Sequence, residues 1–91
     1  MSEWQTETTD AVARVLYQAG VALSPDAVAT NLDAVFDEAP DETAVREALT
    51  TLREESLARR LDREGDYYVI TDYGRDYVET EIDQEGVGFI E

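Results

Sequence analysis

The chain has 91 residues, with 22 acidic residues, seven arginines and no lysine, histidine or cysteine, and its formal net charge is −15. The lack of cysteine excludes disulfides and thiolate metal sites, and no apolar run approaches the roughly 20 residues of a membrane span. No basic segment precedes an apolar one near the N-terminus, so we expect no secretion signal and a cytoplasmic protein.

The acidic charge has two explanations. One is a basic partner, or a surface that mimics nucleic acid. The other is adaptation to very high salt, where a hydrated acidic surface keeps a protein in solution while salt screens its self-repulsion. The acids are spread along the whole chain and lysine is absent, which is typical of proteins from halophilic cells. We therefore favour the salt explanation and expect a halophilic cytosol.

A first helix is predicted to run to about Ala19, with Gly20 as its C-cap. Residues 2–5 match a capping box, S-x-x-Q, and residues 8–10 offer a second start. Trp4 would either staple this N-terminus or lie in a dimer contact, and the staple is favoured. The predicted apolar stripe consists of Val12, Val15, Leu16 and Ala19.

A second helix is predicted to begin at Ser24, an N-cap followed by Pro25 in the first turn and by Asp26 at the positive end of the dipole. It should end near Asp37, because Pro40 disfavours helical geometry just before it. Its predicted apolar face consists of Val28, Leu32, Val35 and Phe36.

A third helix should follow, with Asp41 as its cap. Its apolar residues fall at i, i+3, i+4 and i+7: Val45, Ala48, Leu49 and Leu52. By exclusion its outward positions are Glu42, Thr43, Arg46, Glu47, Thr50 and Arg53.

After Glu55 the period changes to two, and Leu57, Arg59 and Leu61 alternate with their neighbours. Residues 64–66 have turn chemistry, and residues 67–70 are rich in strand formers. This pattern predicts a two-stranded hairpin over residues 57–70. Residues 71 and 72 can cap a last helix to about Glu81, which would bury Tyr73, Tyr77, Val78 and Ile82.

These elements predict an α+β, mostly α fold, a winged helix-turn-helix with three helices, a β-hairpin wing and a C-terminal fourth helix. We expect one domain over residues 1–84 and a short tail over residues 85–91.

The run AVREALTTLREESLARRLDREGDYYVITDYGRDYVE resembles the core of small archaeal winged-helix transcription regulators of a phage-repressor-like group. The resemblance covers residues 24–81, and ITDYGRDYVE is its most specific part. The matching positions are Val45, Leu49, Leu52, Leu57, Tyr68, Ile70, Thr71, Gly74, Arg75 and Tyr77. The chain departs from the family at Ser56, where glycine is usual, and at Asp41, Glu42 and Glu47, where polar or basic residues are frequent.

The resemblance implies double-stranded DNA as a partner, with the third helix in the major groove and the wing along the phosphate backbone. Five of the seven arginines lie between Arg46 and Arg63. Arg46 and Thr50 would meet base edges, and the wing arginines would meet phosphates. The expected DNA-binding residues are Thr43, Arg46, Thr50, Arg53, Arg59, Arg60 and Arg63. The alternative is that the hairpin arginines form a solvated face, paired with Asp62 and Glu64.

Four tyrosines cluster between residues 67 and 77. They would either stack on single-stranded nucleic acid or pack the hairpin against the last helix. We favour packing, with Tyr67 as the exposed one.

We expect neither an enzyme nor a cofactor site, because the chain lacks histidine, cysteine and a phosphate-binding glycine loop. Net negative charge weighs against DNA, so the alternative function is a winged-helix module that binds protein. A homodimer is predicted through the first and last helices, over residues 4–16 and 77–90.

Overall fold

The computed structural model describes residues 4–61 and 65–82, with Ile82 described by its backbone alone. These residues form a small, mostly helical α+β structure with four helices and one antiparallel hairpin. In chain order the elements are α1 (Glu7–Ala19), α2 (Pro25–Val35), α3 (Glu42–Glu54), β1 (Ala58–Leu61), β2 (Tyr67–Ile70), α4 (Asp72–Tyr77) and a π-helical segment (Val78–Ile82). The predicted order of helices and hairpin is confirmed.

A pair of threonines starts α1, at neither of the two predicted starts. The Thr6 hydroxyl accepts from the Thr9 backbone N–H at 3.1 Å, and the Thr9 hydroxyl accepts from the Thr6 N–H at 2.8 Å. Gly20 ends the helix in the left-handed conformation with φ 69°, as predicted. The residues Val12, Val15 and Leu16 are buried. Ala19 is exposed, because the last turn of the helix borders an open groove, and its predicted burial is wrong.

Ser24 caps α2 as predicted, since its hydroxyl accepts from the Ala27 N–H at 3.1 Å. The helix ends at Val35, earlier than predicted. Phe36 takes an extended conformation, with φ −112° and ψ 141°, and so leaves the helical stripe. Val35 and Phe36 are each 39% exposed, and their predicted burial with Val28 and Leu32 is wrong.

The third helix lies at the centre of the core. Asp41 caps it, with one carboxylate oxygen 2.9 Å from the Ala44 nitrogen. The whole predicted stripe is buried: Val45, Ala48, Leu49 and Leu52. This face packs against α1 and α2, and burial of its valine and leucine side chains contributes about 2 kcal/mol each to stability.

The chain turns from α3 into the hairpin at Ser56, which has φ 69° in the left-handed region. Glycine is usual at this position in the regulators that the sequence resembles, and a side chain there costs on the order of 1 kcal/mol. The turn is closed by the Leu57 N–H, which donates to the Leu52 carbonyl at 2.8 Å. The strands then pair from Ala58↔Ile70 to Leu61↔Tyr67.

The segment between α1 and α2 also joins the hairpin. Leu23 and Tyr68 form an antiparallel bridge, with N–H to carbonyl distances of 2.8 Å in both directions. The spatial order is therefore Leu23, β2, β1. This contact was not among the predictions, since a single bridging residue has no periodic signal.

Thr71 and Gly74 fix α4 against the hairpin. The Thr71 hydroxyl accepts from the Gly74 N–H at 2.9 Å and donates to the Ser56 carbonyl at 2.8 Å. A Cβ on Gly74 would overlap the Leu57 carbonyl oxygen and lie 2.7 Å from Cγ1 of Ile70. Only glycine permits this approach.

The last helix reaches Ile82, close to its predicted end, although its final residues are π-helical. Gly74 and Val78 occupy its inward row, and Val78 is only 1% exposed. Tyr73 precedes that row and is 64% exposed, so its predicted burial is wrong.

Within residues 4–61 and 65–82, no helix is long and apolar enough to cross a bilayer. The predicted site residue Arg63 and the predicted tail over residues 85–91 lie outside the described residues, as does the domain boundary at 84.

Candidate functional site

The side of α3 that faces solvent is the side predicted from the sequence. Thr43, Arg46, Thr50 and Arg53 are all exposed, and their spacing places them on one side of the helix. The Thr50 hydroxyl donates to the Arg46 carbonyl at 3.0 Å, which fixes its rotamer while leaving its oxygen as an acceptor. The four side chains therefore form one polar surface.

Arg46 is held between two carboxylates. Its Nη2 lies 2.8 Å from Oε2 of Glu42, one turn earlier, and its Nη1 lies 3.2 Å from Oδ2 of Asp66. Asp66 also binds Arg60 of β1, whose Nη2 lies 2.8 Å from Oδ1. We use the name Asp66 cluster for these four residues: Glu42, Arg46, Arg60 and Asp66. The cluster joins α3 to the hairpin, and its four charges sum to zero.

The charges in the Asp66 cluster reinforce each other. The hydrogen bond to Glu42 raises the pKa of Arg46, and Asp66 adds to this effect. The hydrogen bond from Arg60, with a further one from Arg46, lowers the pKa of Asp66. All of these groups face solvent, so water and salt screen the attraction. The cluster therefore sets geometry more than it contributes stability.

Two hairpin arginines point in opposite directions. Successive residues of a strand face opposite sides, so Arg60 shares a face with its neighbour Tyr68, whereas Arg59 lies on the other face beside Val69. Arg53 and Arg59 are exposed and form no ion pair with any described residue. Arg59 and Arg60 were predicted as one set of phosphate contacts, and the register separates them.

Asp66 is the functional candidate that the sequence predictions missed. The expected partners of the hairpin arginines were Asp62 and Glu64, which lie outside the described residues. A signal was present in the strand register: Arg60 pairs with Tyr68, so Asp66 is its diagonal neighbour on the same face. Its contact with Arg46 depends on how α3 packs on the hairpin.

Charge is unevenly divided along the chain. Residues 42–70 contain seven acidic residues and five arginines, a net charge of −2. The other 62 residues contain 15 acidic residues and two arginines, a net charge of −13. The segment that forms α3 and the hairpin is thus far less repulsive to a polyanion than the rest of the protein.

The predicted dimer segments are partly used within the chain. Val12 and Leu16 face the protein's own core. The ring of Trp4 lies 5.6 Å from that of Tyr77, tilted by 41°, so Trp4 packs on α4 of its own chain, a contact other than the favoured staple on the start of α1. Since residues 83–90 lie outside the described residues, the homodimer stays a prediction.

Comparisons with models of known protein families, with curated proteins and with solved structures found no match. The function is therefore argued from the surface that α3 and the hairpin form together.

Proposed function

We propose that this chain is a winged helix-turn-helix protein that binds double-stranded DNA and regulates transcription in a cell of high internal salt. The observation that carries the proposal is the Asp66 cluster. It joins Arg46, on the outward face of α3, to Arg60 on the hairpin. A helix face and a hairpin are thereby presented side by side, as a groove-reading helix with its wing requires.

The element order supports a winged helix. Helices α2 and α3 are separated by a connector of six residues, 36–41, and the hairpin follows α3 after three. The Leu23–Tyr68 bridge adds one paired residue beside β2 from the segment between α1 and α2. The core-facing side of α3 is fully buried, which leaves its polar side outward for recognition.

The roles of the side chains follow from their positions. Arg46 and Thr50 lie on the outward face of α3, where they would meet base edges in the major groove. Arg59 and Arg60 lie on the two faces of the hairpin, where they would meet phosphates on either side of it. A phosphate approaching Arg60 would compete with Asp66 for the same guanidinium.

High salt removes the main electrostatic argument against DNA binding. The net charge of −15 would repel DNA in dilute buffer, but in molar salt the screening length falls to about 3 Å. Repulsion from the acidic remainder is then short-ranged. Direct contacts made by α3 and the hairpin would determine the affinity for DNA. The gain in binding free energy from counterion release would be small.

The test is a binding titration in molar KCl with two labelled duplexes, the DNA upstream of the protein's own gene and a random sequence. Arg59→Ala should weaken binding to both duplexes. Arg46→Ala should cost about 1–3 kcal/mol on the true site and little on the random duplex. The matched control is Arg75→Ala, which removes the same charge from a groove bordered by α1.

Equal losses of DNA affinity in Arg59→Ala and Arg75→Ala would mean that net charge alone matters, and the proposed surface would be wrong.

The second candidate function is a protein-binding module of the same fold. The exposed Tyr67, on the face of the hairpin opposite the Asp66 cluster, favours that candidate, because aromatic side chains are enriched at protein interfaces. Absence of duplex binding at every salt concentration would select it.

A further inference from the structure

One groove on the protein is lined by three aromatic rings and two carboxylates. It lies where the start of α1, the end of α3 and the face of α4 meet, away from the Asp66 cluster. Its lining residues, called the aromatic groove below, are Trp4, Gln5, Glu55, Leu57, Tyr73, Tyr77 and Glu81. None of them is an arginine, so the lining carries negative charge alone.

Two of the three rings of the groove are held in place by contacts within the chain. The Tyr77 hydroxyl donates to Oδ1 of Asp10 at 2.8 Å, and Nε2 of Gln5 donates to Oδ2 of the same carboxylate at 3.2 Å. The Trp4 ring packs on Tyr77 at 5.6 Å. Tyr73 completes the aromatic lining and is 64% exposed, the most exposed of the large hydrophobic residues among the described ones.

This lining favours a cation on two counts. The face of an aromatic ring carries partial negative charge, which attracts a cation lying over it. The Glu55 and Glu81 carboxylates add full charges at the margin of the groove. Burial, together with Asp10 and Glu81, raises the pKa of Tyr77, so this ring remains a neutral phenol.

We propose that the aromatic groove binds a small organic cation of the quaternary ammonium class. A small inorganic cation such as Mg²⁺ or Ca²⁺ requires about six or more oxygen ligands, whereas the lining contains two carboxylates and the described residues form no cluster that could hold a metal ion. A trimethylammonium group has no N–H to satisfy, its charge is spread over methyl groups, and those methyl groups pack on aromatic faces. The site does not depend on the proposed function.

Trp4 is the only tryptophan of the chain, so its fluorescence reports on the groove directly. The full chain is titrated in molar KCl at constant chloride with choline, and in parallel with 3,3-dimethylbutan-1-ol, which has the same shape without the charge. Choline should produce a saturable change in Trp4 emission. The alcohol should require at least about fivefold higher concentration for the same change, because it lacks the cation–π attraction.

Two pairs of variants locate the site. Tyr73→Leu removes the exposed ring and should weaken choline binding about two- to fivefold. Its control is Tyr67→Leu, an exposed tyrosine on the hairpin, which should leave binding unchanged. Glu81→Gln should also weaken binding, whereas Glu54→Gln, exposed on α3 outside the groove, should not.

Saturation-transfer NMR of the choline methyl signals gives a second readout that does not depend on Trp4. The proposal is overturned if neither readout detects saturable binding, or if choline and the alcohol bind equally. It is also overturned if Tyr73→Leu and Tyr67→Leu have the same effect.

Discussion

Arg46 and Asp66 form an ion pair between α3 and the hairpin, with Nη1 of Arg46 3.2 Å from Oδ2 of Asp66. The two residues are 20 positions apart, and only the packing of the hairpin against α3 brings them together. The same carboxylate holds Arg60 at 2.8 Å. One acidic residue thus determines where two of the proposed DNA contacts point.

Replacing Asp66 with Asn should therefore strengthen DNA binding. The change removes one negative charge and the ion pairs of Asp66 with Arg46 and Arg60, while Glu42 continues to bind Arg46. In molar KCl the affinity for a random duplex should rise by up to about fivefold, which is the upper limit for one exposed ion pair with a phosphate. The matched control is Asp33→Asn, an exposed residue of α2, which changes the charge equally. Equal gains in a fluorescence anisotropy titration would show that the Asp66 cluster does not restrain the arginines.

Gly74→Ala should destabilise the fold by about 3 kcal/mol, because the new methyl group would overlap the Leu57 carbonyl oxygen. Gly20→Ala is the comparison. It has the left-handed φ of 69° but no atom within 4 Å of the added carbon, so it should cost only about 1 kcal/mol. Urea denaturation gives both values. Similar losses at the two positions would contradict the close approach of α4 to the hairpin.

Tyr77→Phe should alter the dependence of stability on alkaline pH. Burial raises the pKa of Tyr77 in the folded state above its ordinary value of 10.0, and the hydrogen bond to Asp10 raises it further. The unfolded chain therefore releases this proton first, and the stability that the phenol contributes is lost as pH rises above 10.0.

The wild type should accordingly be more stable than Tyr77→Phe at neutral pH, and the difference should shrink above pH 10. Denaturant titrations at several pH values would measure it. Tyr67→Phe removes a hydroxyl from an exposed residue and serves as the control. A constant difference between wild type and Tyr77→Phe across this range would contradict the burial of the hydroxyl against Asp10.

The melting temperature should rise as KCl increases from dilute to molar concentration. A net charge of −15 on 91 residues makes the compact state repel itself, and salt screens that repulsion. Differential scanning calorimetry would follow the transition, with sucrose solutions as a control that leaves the charges unscreened. A melting temperature that does not change with KCl concentration would favour a basic partner as the reason for the acidic surface.

Local signals predicted much of the fold. The caps at Ser24, Asp41 and Thr71 are each used as predicted, because a short polar side chain just before a helix satisfies its free N–H groups, although the start of α1 at Thr6 was not predicted. The burial of the α3 stripe follows from its period. The same reasoning wrongly predicted that Phe36 is buried, because α2 ends one residue before it and a helical period no longer applies there.

The candidate site was harder to predict than the fold. The exposed positions of α3 followed from the buried ones. The sequence therefore predicted the exposure of four proposed contact residues, Thr43, Arg46, Thr50 and Arg53. Contacts between elements carry no such local signal. The pairing of Asp66 with Arg46 needs the angle between α3 and the hairpin, which depends on packing across the whole core.

The spatial order Leu23, β2, β1 leaves β1 as the outer strand, and within residues 4–61 and 65–82 no other strand pairs with its outer side. An open strand edge is a template on which a second molecule can add its own strand and begin to aggregate. Two of the four residues of β1 are arginines, one on each face. Arg60 is paired with Asp66, but Arg59 forms no ion pair with any described residue, so pairing two copies of this edge would bring unpaired positive charges together. Arg59 therefore also opposes edge-to-edge association between copies of the chain.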